Sequence, residues 1–171
     1  YEAAQISGLD TLYCLEDVDD AFSYAPSGAA FTGPVSGNIF NPGAVGEGFY
    51  TFSISHGVGE CATSDTVHIT VLPQLTSSLT TSEDTICNGE GVTLTVTASG
   101  GVPGILYSYT WSHGLFPINI NSANPQETTT YVVTTSDGCS DDAIDSITIE
   151  IAEEFSVSFE TSPISCYGIE G

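Results

Sequence analysis

Five cysteines, 22 carboxylates and three histidines are the residues of this chain able to do chemistry, and it has no lysine or arginine. Thiols can bridge, bind metal or act as nucleophiles, and spacing helps to separate these roles. No Cys-x-x-Cys pair is present, which removes the commonest redox and zinc patterns. The cysteines stand at 14, 61, 87, 139 and 166. Cys14 and Cys61 are 47 residues apart, Cys87 and Cys139 are 52 apart, and Cys14, Cys87 and Cys166 recur at intervals of 73 and 79. That recurrence marks a tandem repeat with two cysteines per unit. It predicts disulfides Cys14–Cys61 and Cys87–Cys139, with Cys166 pairing beyond Gly171. Loops of this size contribute roughly 4 kcal/mol each in the chain-entropy model. Structural disulfides call for an oxidising, extracytoplasmic compartment.

The carboxylates have no basic side chain to meet, so only histidine, a terminal amine, backbone N–H groups or dissolved cations can balance them. Phosphate backbones are bound by Lys and Arg, which excludes nucleic acid as a partner. Docking on an anionic membrane is excluded for the same reason, and no apolar run approaches the ~20 residues of a membrane span. Hard cations take clustered oxygens, so calcium is the one cofactor to consider. Its candidate ligands are Asp17, Asp19 and Asp20 (with Glu16), and Asp137, Asp141 and Asp142 (with Asp145). Neither cluster has the EF-hand spacing, and a solvated acidic surface with diffuse counterions is the simpler reading. His56, His68 and His113 are scattered, no nucleophile elbow or phosphate loop occurs, and no catalytic residue is expected.

The elements that must position these groups are strands. Period-2 alternation places Tyr50, Phe52 and Ile54 on one face, and likewise Val67/Ile69/Val71, Val92/Leu94/Val96, Tyr107/Tyr109/Trp111 and Ile147/Ile149/Ile151, with Tyr131/Val133 as a further pair. No window carries a helical period. The fold class is therefore all-β, with tandem antiparallel β-sandwich modules. An opening strand is expected from Ile6 to Cys14, a loop from Pro117 to Thr129, and another opening strand through Phe155, Val157 and Phe159. Pro73 and Glu153-Glu154 mark junctions, giving modules 1–73 and 74–152 and the first strand of a third in 153–171 that continues past Gly171. Trp111, Tyr109 and Tyr131 are expected to be core anchors and not sugar-stacking platforms. Each cysteine lies beside a turn, so each disulfide should close one end of a sandwich and not cross its centre.

Cys-x-Gly, the Gly100-Gly101 turn, Tyr-Ser-Tyr-Thr-Trp-Ser-His-Gly (107–114), Thr-Tyr-x-Val (130–133) and Asp-Gly-Cys (137–139) together resemble the Ig-like or PKD-like repeats of large Bacteroidota surface adhesins, of which the SprB-type gliding-motility adhesin is one. Residues 1–73 resemble a sister repeat through Tyr13-Cys14, Phe-x-Gly-Pro (31–34) and Phe-Asn-Pro (40–42). The resemblance implies a non-catalytic adhesive or structural segment on a bacterial cell surface. Its partners would be neighbouring repeats, other copies in a filament and surface glycans. It also implies O-glycans at Asp-(Ser/Thr)-aliphatic sites, namely Thr11, Thr66, Thr85 and Ser146. The competing classes are a filament subunit assembling by strand addition and a carbohydrate-binding array of a secreted enzyme.

Overall fold

A computed structural model describes residues 2–104, 106–153 and 156–161, and almost all of its regular structure is strand. The first half holds β1 (Gln5–Ser7), β2 (Leu12–Tyr13), β3 (Asp20–Ala21), β4 (Ser23–Ala25), β5 (Ala30–Thr32), β6 (Ile39–Phe40), the single helical turn α1 (Pro42–Val45), β7 (Gly48–His56) and β8 (Thr63–Val71). The second half holds β9 (Thr76–Thr81), β10 (Thr85–Ile86), β11 (Val92–Ser99), β12 (Ser108–Trp111), β13 (Ile120–Ala123), β14 (Thr129–Ser136) and β15 (Ala143–Ile151).

In the second half, a sheet ordered β9-β11-β13 faces another ordered β10-β15-β14-β12. Their alternating inward residues make one core: Ile86, Val92, Leu94, Val96, Trp111, Tyr131, Val133 and Ile149. Two facing sheets with this strand order, antiparallel except for the short β10–β15 pairing, form an immunoglobulin-like sandwich. The first half builds a comparable sheet, β2-β8-β7-β5, but closes its other side with two short ladders, β1-β4 and β3-β6. Its core is aromatic. Phe22 and Phe40 each pack edge to face on Phe52, with ring centres 5.4 and 5.6 Å away.

One device occurs in both halves. The short strand ahead of the first cysteine runs parallel to the end of the last strand: β2 pairs Leu12 with Thr70 and Tyr13 with Val71, and β10 pairs Thr85 with Glu150 and Ile86 with Ile151. This device corrects the predicted disulfides. Cys14 follows Tyr13 and so lies at the finish of β8, whereas Cys61 lies ahead of that strand's start. About ten strand residues separate them, roughly 30 Å, while a disulfide needs Cα atoms within about 7 Å. Cys87 and Cys139 are set apart along β15 in the same way. The bridge in the structure joins Cys14 to Cys139, with Cα atoms 5.7 Å apart. Cys61 and Cys87 are exposed and unbridged among the described residues.

Three other expectations change. The opening strand from Ile6 to Cys14 breaks at Gly8, so that β1 joins β4 while β2 crosses to β8. The loop expected over 117–129 contains β13, paired with β11 from Val92↔Ala123 to Thr95↔Ile120. Its inward residues are Asn121 and Ala123, a polar and a small residue that hide the apolar alternation. Phe155 lies outside the described residues, and 156–161 form no strand. Val157 and Phe159 are exposed there, because an opening strand needs a neighbour such as β4 or β11 and the described residues supply none. Glu154 and Cys166 also lie outside the described residues.

Candidate functional site

The bridge stands where the halves meet, and each of its cysteines lies in a loop folded around an aspartate. On the first side, the Cys14 amide donates to Asp17 Oδ2 at 2.7 Å, and the Asp17 amide donates back to the Cys14 carbonyl at 3.2 Å. Beside this turn is an open hollow of about 280 Å³ lined by Asp10, Tyr13, Asp17, Val18, Asp19 and Asp20. The Tyr13 hydroxyl donates to Asp20 Oδ2 at 2.6 Å and accepts from the Asp10 amide at 2.8 Å. Burial, followed by that bond to a carboxylate, pushes the Tyr13 pKa well above its ordinary value, so the phenol stays neutral. Asp19 Oδ1 accepts from Asn41 Nδ2 at 2.5 Å. Asn41 in turn caps α1 through the Ala44 amide at 2.6 Å.

On the second side, buried Asp137 gathers four donors. Oδ1 accepts from the Cys139 and Ser140 amides at 3.0 and 2.8 Å, and Oδ2 accepts from the Val102 amide at 2.9 Å and the Ser140 hydroxyl at 3.2 Å. Burial would raise its pKa, but the bonds from Cys139, Ser140, Val102 and the Ser140 hydroxyl together outweigh that and hold it below the ordinary value. The Gly100-Gly101 turn is shaped to this arrangement. A Cβ on Gly101 (φ 65°) would collide with the Asp137 carboxylate, and one on Gly100 (φ 84°) with the Gln74 carbonyl. The Gly101 amide donates to the Pro73 carbonyl at 2.8 Å, and Leu72 and Leu75 are buried on either side of that proline. The joint thus carries a covalent bridge, the Gly101–Pro73 hydrogen bond and two buried leucines, and on the second half's side a network around one carboxylate backs it.

The structure places the predicted residues as follows. Asp17, Asp19 and Asp20 do come together at the hollow, whereas Asp141 and Asp142 are exposed and Asp137 is turned inward. Asp137 offers a cation little, since donors occupy its four lone-pair positions. Among the described residues no group of three or more His, Cys, Asp or Glu is arranged to hold a metal. Thr11, Thr66, Thr85 and Ser146 are all exposed. Trp111 and Tyr131 are buried in the second core, with Trp111 Nε1 donating to the Ile118 carbonyl at 3.0 Å, and Tyr109 packs half-buried against them. The sequence reading missed the meeting of the two acidic loops at one bridge. Its signal was there in the Asp-x-Cys and Cys-x-x-Asp spacing, which sets an acid within one turn of each bridged thiol.

No family model matches the chain, and no curated protein matches it. Solved structures do. The chain is similar to the amphioxus IgVJ-C2 molecule, at 19% identity over 61% of this chain and 61% of that one, with a TM-score of 0.43. It is similar to a C-terminal 282-residue fragment of intimin in complex with the intimin-binding domain of the translocated intimin receptor, at 16% identity over 87% of this chain and 64% of that one, TM-score 0.49. The mouse nectin-like molecule 4 ectodomain is similar at 9% identity over 92% and 67%, TM-score 0.43. The chain spans less than two thirds of the first two. The immunoglobulin-like strand order stands on the pairing itself.

Proposed function

We propose that this chain is a non-catalytic structural and adhesive segment of a large, exported bacterial surface protein of the SprB-like adhesin type. In this reading 1–73 and 74–152 are successive modules, and 153–171 opens a third. The observation that carries it is the Cys14–Cys139 bridge across the joint. A bond between halves adds nothing to either core, but it fixes how one half is set on the next, which suits an extended spacer. A disulfide at a structural joint also requires an oxidising compartment. A net charge of −22 without basic residues supports the same address, because like-charged rods stay apart until salt screens them. Exposed Thr11, Thr66, Thr85 and Ser146 are the places where O-glycans would sit.

Mass spectrometry of the protein from its native source tests this reading. It should show the Cys14–Cys139 peptide pair and sugar-sized mass increments on some of the four Asp-(Ser/Thr)-aliphatic sites. A bare polypeptide mass with reduced thiols throughout would remove both export and the surface role.

A further inference from the structure

Cys61 and Cys87 are left over by the bridge, and the repeat says what they are. Cys87 repeats the setting of Cys14. Each directly follows a two-residue strand laid parallel against the end of its half's last strand. The matching backbone bonds run from the Leu72 amide to Tyr13 O at 2.9 Å and from the Ala152 amide to Ile86 O at 2.8 Å. Each cysteine opens the same acid-closed turn. The Cys87 amide donates to Glu90 Oε2 at 3.0 Å and the Glu90 amide to Cys87 O at 3.1 Å, as Asp17 does for Cys14. Cys61 repeats the setting of Cys139, in the turn between the last two strands of its half. The bridge therefore joins the first-cysteine position of one half to the second-cysteine position of the half after it. Cys87 and Cys61 are the two open ends of that rule. Both are exposed, at positions where their counterparts are bridged.

From this register we infer that Cys87 and Cys61 are intermodular docking points: Cys87 bonds to the second cysteine of a following module of the same build, and Cys61 to the first cysteine of a preceding one. The joint between residues 1–73 and 74–152 is one rung of a repeating disulfide ladder along the rod. This rests on the module reading above and extends it. Each bond forms by exchange with a disulfide oxidant such as oxidised glutathione. One thiolate attacks a glutathione sulfur and releases a glutathione thiolate, and the second thiolate then attacks the protein sulfur of the mixed disulfide and releases the other. Two electrons pass to glutathione disulfide, which leaves as two thiols.

Two copies of residues 1–152 joined end to end test the rule. These residues hold both cores and every described strand. The tandem also places the second copy's Cys14 at position 166, where the chain itself has Cys166. After refolding in glutathione buffer, non-reducing peptide mapping should find Cys14–Cys139 in each copy and a new pair joining Cys87 of the first to Cys61 of the second. Two reactive thiols should then remain of the four left by the Cys14–Cys139 bridges alone. Cys87→Ser in the first copy should abolish that pair and raise the count to three. Four reactive thiols beside intact Cys14–Cys139 pairs would overturn the ladder and leave the module reading standing. Cys14–Cys61 with Cys87–Cys139 would overturn the ladder and remove the joint bridge that carries the proposed function, while leaving two modules of one disulfide each.

Discussion

The two halves share a closing hairpin and a parallel opening bridge, and they differ almost everywhere else. In the first, β7–β8 pairs over nine residues while the opposite side is patched from ladders of two and three. Rings do the filling: Phe22, Phe31, Phe40 and Phe52 form a continuous aromatic cluster with Tyr13 and Tyr24 at its margins. The second half has two regular sheets, so short aliphatic side chains fill most of the gap beside Trp111 and Tyr131. Large rings span the distance that a broken sheet leaves, because each buries far more surface than valine or isoleucine. What both halves keep is the part that fixes the cysteines in space. The variable part is the part that only needs to be full.

Substitutions should separate these roles. The largest effect is expected at Phe52, fully buried among three other rings: Phe52→Ala should cost about 3–5 kcal/mol. Hydrogen exchange should then show β7 and β8 opening while β14 and β15 stay protected. Equal loss in both halves would mean that the two cores unfold as one. Next comes the joint. Gly101→Ala should cost about 1–3 kcal/mol for its left-handed backbone alone, with the collision against Asp137 added. Measured by denaturant midpoint, a neutral result would show that the Asp137 loop can move aside.

Asp137→Asn should lose about 1–3 kcal/mol, because a donor replaces an acceptor amid four donors. The pH dependence has a definite sign. A folded pKa below the ordinary 3.8 gives a contribution that is present above that value and lost as pH falls through the folded pKa. Acid should thus loosen the loop that carries Cys139, and the Asn variant should flatten that part of the stability–pH curve. The smallest effect has the opposite direction. Thr135 is fully buried on β14, and its hydroxyl lacks a partner among the described residues. Thr135→Val should stabilise the second half by about 1 kcal/mol, read as a rise in its melting temperature with the first half unchanged.

Where apolar residues alternate, the sequence is a sufficient guide. Val92/Leu94/Val96, Phe52/Ile54 and Ile69/Val71 all lie inward, as period 2 requires. It fails where the inward residue is polar or small, as at Asn121. That side chain satisfies itself on the Phe116 amide and the Phe116 and Ile118 carbonyls and leaves no apolar trace. It fails again where two-residue strands decide the topology, since β2 and β10 are too short to carry a pattern. The mistaken cysteine pairing follows from that second failure. Counting residues brings Cys14 near Cys61 in sequence, and only the parallel laying of β2 on the end of β8 shows that they belong to opposite ends of the half.

The Cys14–Cys139 bridge also decides which residues would feel a pull applied to the two ends of the chain. With this bond as the segment's one cross-link, tension would run from the N-terminus through Cys14, across the sulfur–sulfur bond and out along β15, sparing residues 15–138. The bridged positions are 125 residues apart. At roughly 3.3–3.6 Å per extended residue, about 40 nm of polypeptide is held out of the load path until the bond is reduced. An oxidised segment should therefore lengthen only through the residues outside the bridge, β1, β2 and β15 among them. Reduction would turn the same segment into a long, compliant one that yields its sandwiches to the pull.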